Sequence, residues 1–389
     1  MTLTRTRLAA ALALCIIAST ITACGEEPIR ENGATVLVIG NRQNSAVPQV
    51  TKDMQAAVNA GIDRGDVIIM IPVQGDITHA TVLVDNQAQC LEANGAKQNK
   101  ATCDQTRQSL KAMDVLARGL EVTKASREEA SLFKALRQAG EELKTFTGPK
   151  QIIVMDSGID TAAPLTMTNL GVIGYAPQTL VDALKNAKEP LPDLAGASVR
   201  FAGVGVVAEP QTPLTAAQIT QLKELWHAIV KEGKADKIDM GSTDSRAAEP
   251  VRANLPRVTV ATPPPSPQSE PCSAILFNEG EIGFQSDKAD FVDQAGSAGR
   301  MKAYADKLRQ LGVGVLVTGT TAYQERDPAN PLSNARAGAV KSLLVANLVP
   351  AERIRTQGVG INWSGYQDPK GDPIKEISMR VVILKPDCV

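Results

Sequence analysis

Apolar and polar positions come in blocks along the chain, and the blocks change period. Thr35–Ile39 (TVLVI), Val67–Val73 (VIIMIPV) and Gln151–Met155 (QIIVM) are continuous apolar runs. Runs of this kind are expected of strands buried on both faces of a sheet. Pro72 makes the end of the second run an edge or an exit. Ile77–Val84 (ITHATVLV) reads as a further strand, and Gln74-Gly75-Asp76 before it suggests a hairpin or tight turn. Between these runs the period becomes helical. Pro48–Ala60 places Val50, Met54, Ala57 and Val58 at helical spacing. Thr106–Leu120, Glu128–Thr145 and Thr179–Asn186 read as amphipathic helices. Ala197–Val207 is a strand running into glycine-rich turn chemistry. Ala216–Glu232 is the clearest helix, with Ile219, Leu222, Leu225, Trp226 and Ile229 on one face. Strands alternating with helices predict an α/β domain over residues 34–245, with a mostly parallel sheet flanked by helices.

The pattern then breaks. Residues 246–271 carry six prolines after Pro250, three of them consecutive at Pro263–Pro265. Proline-rich chain is extended and semi-rigid, at about 3.1 Å per residue. It predicts a linker that holds two domains apart. Residues 272–389 then form a second unit. Ala274–Phe277 reads as a strand, Ala289–Leu311 as a helix, Val313–Gly319 as a strand and Pro331–Asn347 as a helix. Arg353–Val359 and Glu376–Leu384 read as strands, giving β-α-β-α-β-β. Asn330-Pro331 opens the second helix, Asn330 as N-cap and Pro331 at the first helical position.

Length and composition suit this division. A chain of 389 residues has two domains as its prior, and 43% apolar residues can fill two cores. The balance of 41 basic to 42 acidic residues, with 3% aromatics, argues against nucleic acid as a partner. The first residues are a targeting segment. Arg5 and Arg7 precede the apolar Leu8–Ile17, which is short for a membrane span. Ile21-Thr22-Ala23-Cys24 then resembles the bacterial lipobox. That resemblance implies a signal peptide over 1–23, acylation of Cys24 (a palmitate-type lipid anchor in the bilayer) and a short polar tether over 24–33. Loss of 1–23 removes two arginines and no acids, taking the formal charge from −1 to −3.

Four further cysteines remain in an exported chain: Cys90, Cys103, Cys272 and Cys388. An even count there suggests disulfides, with three pairings open. Cys90–Cys103, closing a polar local loop, and Cys272–Cys388, bracketing the second unit, are the favoured pair.

The stretch 317–340 (VTGTTAYQERDPANPLSNARAGAV) carries the most chemistry. Gly319, Thr321, Asn330, Leu332-Ser333 and Arg336-Ala337 resemble the loop-and-helix signature of the OmpA-like C-terminal domain family. Phe284, Ser286 and Phe291 also fall where that family has aromatic and hydroxyl positions. The resemblance implies peptidoglycan binding. In the family a loop Asp takes the ammonium of the stem-peptide diaminopimelate, and a helix Arg takes its carboxylate by a bidentate fork. Arg336 is the arginine, and Thr321 and Asn330 are the accompanying loop positions. The family's Asp falls on Ala322, and Asp327 or Glu325 is the available substitute. The alternative for Arg336 is an internal pairing with Asp327 or Glu325.

The N-terminal layout resembles, more loosely, the von Willebrand factor A-like group, whose first strand ends in a metal-binding D-x-S-x-S. The corresponding stretch is Asn41–Ser45, where Ser45 alone matches. Asp156-Ser157-Gly158 falls where that group carries T-D-G. The resemblance implies a divalent metal on Asp156 and Ser45, although hard cations want several carboxylate oxygens. No other cofactor is indicated. No nucleophile elbow, HExxH or phosphate loop is present, and the two histidines, His79 and His227, sit in separate patterns. The chain therefore reads as a non-enzyme. The leading expectation is a lipid-anchored envelope protein. It would tether a membrane, the outer face of a cytoplasmic one or the periplasmic face of an outer one, to peptidoglycan. Its N-terminal domain would be an interaction module for an unknown protein partner. The other expectation is a ligand- or protein-binding (adhesion) lipoprotein whose C-terminal domain no longer binds the wall.

Overall fold

The structure is a computed structural model that describes residues 32–48, 50–76, 80–85, 98–109, 111–241, 252–262, 274–278 and 280–387. The signal segment 1–23, most of the tether, and Cys24, Cys90, Cys272, Cys388 and His79 lie outside the described residues.

The first unit is an α/β layer structure. Strands β1 (Ala34–Ile39), β2 (Val67–Pro72), β3 (Thr81–Asp85), β4 (Lys150–Met155), β5 (Ala197–Ala202) and β6 (Lys237–Asp239) make a sheet in the order β3-β2-β1-β4-β5-β6. All neighbours pair parallel except the β2–β3 hairpin. The continuous apolar runs have a simple cause. Along β1, Val36 and Val38 enter one core and Leu37 and Ile39 the other, so no position faces water. Helices α1 (Lys52–Arg64) and α3 (Ala112–Val122) cover one face. Helices α4 (Leu132–Leu143), α5 (Pro177–Asn186) and α6 (Ala216–Glu232) cover the other. Helix α6 has the bounds read from its pattern. A capping box between Thr215 and Gln218 starts it, and Trp226 is buried with Nε1 donating to the Gly158 carbonyl at 2.9 Å.

Two readings shift. The helix over 106–120 is two helices, α2 (Lys100–Ser109) and α3, and α1 starts at Lys52 because the Thr51 hydroxyl accepts the Met54 N–H. The three-residue β6 is too short and polar to leave a periodic signal.

The second unit packs α7 (Gln294–Leu311) and α8 (Pro331–Ala346) on a four-stranded sheet. Its strands are β7 (Ile275–Phe277), β8 (Gly314–Thr320), β9 (Ile354–Gly360) and β10 (Val382–Asp387), in the order β7-β10-β8-β9. Strand β10 runs antiparallel to β7 and β8, and β8 and β9 are parallel. The strand expected over 376–384 is corrected. Its first residues belong to helix α9 (Pro373–Ser378), so the order is β-α-β-α-β-α-β. The cause is a start signal stronger than strand propensity. Asp372 accepts the N–H groups of Ile374 and Lys375 at 3.1 and 2.9 Å, and Pro373 occupies the first turn.

Of the linker the structure describes 252–262; the proline cluster Pro263–Pro265 and the rest of the run to 271 lie outside the described residues. Residues 252–262 do not span open space; they lie across the first unit. Thr262 bridges Asn169, Ala261 exchanges hydrogen bonds with Gln211, and Val258 and Ala261 are buried. The second unit also touches the first. Ile374 and Ile377 of α9 join the apolar cluster that contains Leu180, Val181 and Leu184 of α5.

Candidate functional site

The residues singled out between Thr321 and Arg336 come together at the end of β8 and the start of α8. Strand and helix approach closely here. A Cβ on Gly319 would lie 2.0 Å from the Ser333 carbonyl, so only glycine fits. Asp327, fully buried, accepts the N–H groups of Leu332 at 2.7 Å and Ser333 at 3.1 Å, and the Thr321 hydroxyl at 3.4 Å. Its negative charge thus sits at the N-terminus of α8, where orphan donors and the helix dipole favour it. The side-chain capping expected of Asn330 is done by Asp327. Asn330 adopts a left-handed conformation (φ 63°) with no side-chain cap bond, and its carbonyl accepts Asn334 N and Ser333 Oγ.

Arg336 is 2% exposed. Its Nε donates to the Lys288 carbonyl at 3.1 Å and its Nη1 to the Thr320 carbonyl at 3.3 Å. The guanidinium carbon lies 5.2 Å from the centre of the Phe284 ring. Ala322 is buried, and its carbonyl accepts the Tyr366 hydroxyl at 3.1 Å. Both carbonyls hold the guanidinium against the end of β8 and the segment before α7. Lys288 gave no signal in the sequence because it acts through its backbone. Tyr366 lies in the loop after β9, and its approach to Ala322 depends on the register of β8 against β9.

The second constellation lies where β1 and β4 end side by side. Neighbouring parallel strands whose connections leave in opposite directions open a crevice at their carboxyl ends. Arg42 follows β1 and is buried. Its Nη1 pairs closely with Asp156 Oδ2, and its Nη2 donates to Asp156 Oδ1 and Ser157 Oγ at 3.3 and 3.1 Å. Asp156 Oδ1 also accepts Gly158 N–H at 2.7 Å. Ser45 donates to the Gly40 carbonyl at 2.8 Å and accepts Arg42 N–H at 3.0 Å. Arg252, from the linker, reaches the same loop. Its Nη2 donates to the Arg42 carbonyl at 2.6 Å and to Ser45 Oγ at 2.9 Å.

These residues do not fit the divalent metal. The only carboxylate of the expected pair is committed to a guanidinium, and Ser45 Oγ is committed to its own loop. Among the described residues no group of three or more His, Cys, Asp or Glu is placed to hold a metal ion. Deeper in the same core, burial pushes the Asp160 carboxyl up to about 7, against the Phe133 and Leu132 N–H bonds that pull it down. Asp156 raises it further and Arg42 lowers it.

Above the Arg42–Asp156 pair lies a cavity of about 750 Å³, lined from the ends of β1, β4, β5 and β6 and from the start of α1. Sequence reading did not find it, because its walls come from segments far apart in the chain. Cys103, on α2, is buried. No helix among the described residues is long and apolar enough to cross a membrane.

No family model matches the chain, and no curated protein matches it. Solved structures do. The OmpA-like domain of FopA1 from Francisella tularensis is similar at 24% identity, over 30% of this chain and 80% of that one, with a TM-score of 0.23. The periplasmic domain of MotB from Helicobacter pylori is similar at 12% identity, over 31% and 80%, with a TM-score of 0.27. The peptidoglycan-associated lipoprotein from Burkholderia pseudomallei is similar at 18% identity, over 29% and 89%, with a TM-score of 0.22.

Proposed function

We propose that this chain is a cell-envelope protein whose C-terminal unit associates with peptidoglycan and whose N-terminal unit is a binding module. The observation that carries the proposal is the assembly of the Gly319–Arg336 residues. The motif that resembles the OmpA-like signature folds as strand, loop and helix, and Arg336 reaches back to the strand end at Thr320. A guanidinium on a helix facing a loop is suited to a stem-peptide carboxylate. The signal segment and Cys24 would add a lipid anchor, with the tether and linker between membrane and wall. The Cys90–Cys103 and Cys272–Cys388 pairings belong to this exported reading.

A specific observation favours the second reading, in which the C-terminal unit is a scaffold. Ala322 offers no carboxylate to an ammonium, and Arg336 is already engaged by Lys288 and Thr320. Cosedimentation of the full chain with purified sacculi decides between them. Wall association predicts retention, strong loss in Arg336→Ala, partial loss in Arg336→Lys, and a gain in Ala322→Asp. Circular dichroism checks that each variant folds. Absence of the parent protein from the pellet sinks the first reading and leaves the second. The lipid anchor is tested separately by intact mass, where an unmodified Cys24 rejects it.

A further inference from the structure

The cavity above the Arg42–Asp156 pair is distinct from the Gly319–Arg336 region. Its volume, about 750 Å³, is within the ~300–1,000 Å³ range of small-molecule pockets. It sits at the carboxyl ends of parallel strands beside the β1/β4 switch in strand order, where open α/β sheets take ligands.

Its lining defines the ligand. Met54, Ile153 and Phe201 are buried in its walls, and Met155 and Met240 reach it half-buried. Unbranched methionines adapt to an apolar body of variable shape. Among the described residues the charged groups lining it are Asp156, Arg200 and Asp239, and each is paired. Asp156 has Arg42 and Gly158 N–H on its oxygens. Arg200 Nε donates to Asp239 Oδ2 at 2.8 Å, and Asp239 Oδ1 accepts Gly241 N–H at 2.9 Å. These bonds hold the Asp239 carboxyl below its usual range, so it stays an anion matched to its own cation. Arg42 offsets Asp156, and Arg200 offsets Asp239, so the cavity presents no net charge to a ligand.

Two hydroxyls supply the polar handle. Ser157 Oγ accepts from Arg42 Nη2 and, at 3.4 Å, from Ile159 N–H; Thr51 Oγ1 accepts from Met54 N–H. Each acts there as acceptor, which leaves its proton to donate into the cavity. We infer that this cavity binds a neutral small molecule with an apolar body and a hydrogen-bond-accepting oxygen, such as an ester, and that it does so without a metal ion.

The test uses the full chain carrying Cys24→Ser, which removes the proposed acylation site. The probe is N-phenyl-1-naphthylamine, a neutral fluorophore, compared with 1-anilinonaphthalene-8-sulfonate, nearly the same body with an anionic group. Saturable binding of the neutral probe is expected, at least tenfold tighter than the sulfonate, unchanged by EDTA and displaced by methyl decanoate but not by decanoate. Ala202→Trp, which fills the cavity from the end of β5, and Met240→Glu, which adds an unpaired charge, should each abolish binding with the melting temperature kept within a few degrees. No saturable binding, equal affinity for the sulfonate, displacement by decanoate, dependence on a metal, or full binding in Ala202→Trp overturns the inference.

Discussion

The two halves of the molecule each bury an arginine, and they hold it differently. Arg42 faces a buried carboxylate, Asp156, which also has the Gly158 N–H and lies beside the Ser157 hydroxyl. Arg336 is just as buried but is held by the Lys288 and Thr320 carbonyls and the Phe284 ring. In the first half, charge meets charge, and the pair is a fixed floor beneath a cavity. In the second, two backbone carbonyls and an aromatic face lie against the guanidinium. An arginine beside a resemblance to a binding motif is therefore not enough to assign a role; the groups it faces have to be known as well.

The sharpest way to break this contrast is Arg42→Met. It leaves Asp156 as an uncompensated buried charge, and urea unfolding should show a loss of about 3–5 kcal/mol. The double variant Arg42→Met, Asp156→Leu should recover most of it. A loss below ~1 kcal/mol in the single variant would show that the pair is not the floor described here. Arg336→Met should cost less, about 1–3 kcal/mol, since it leaves neutral carbonyls short of a donor. Equal losses at the two positions would erase the distinction.

A third prediction concerns the environment beneath the Arg42–Asp156 pair. Asp160 titrates at about 7 in the folded chain and near 3.8 when unfolded. The folded state then holds the extra proton between these values. Stability attributable to this group is fully present below pH ~4 and falls as pH rises to about 7, by at most ~1.4 kcal/mol per pH unit. Thermal melts across pH 4–7 should show that slope, and Asp160→Asn should flatten it. The smallest effect is expected in Asp327→Ala. It removes the acceptor for Leu332 and Ser333 N–H at the start of α8, at about 1–2 kcal/mol by urea unfolding. Sacculus binding should fall with it only if α8 must be held in place to present Arg336.

Local signals in the chain were easy to read where one physical rule acted alone. The buried runs of β1, β2 and β4 announced a sheet covered on both faces, and the apolar face of α6 set that helix to the residue. Local rules in competition misled. The Ile377–Leu384 run favoured a strand, yet Asp372-Pro373 started a helix before it. Asn330 had the identity of a cap, but Asp327 lay closer to the free N–H groups. Arg252 and Val258, ahead of the proline cluster, gave no local signal of the partners they find on the Asn41–Ser45 loop.

The sequence by itself determined the alternation of strands and helices, the two units and the residue types at both candidate sites. Hydrophobic period, caps and prolines act over a few residues, so they are written locally. Only the tertiary structure decided that Arg42 meets Asp156 across 114 residues of chain, displacing the metal reading. It alone placed four strand ends around one cavity and closed the Lys288 carbonyl over Arg336. Charge pairing and desolvation depend on which groups are brought within a few ångströms in a water-poor interior. Sheet order and helix packing set those distances, and residue order does not.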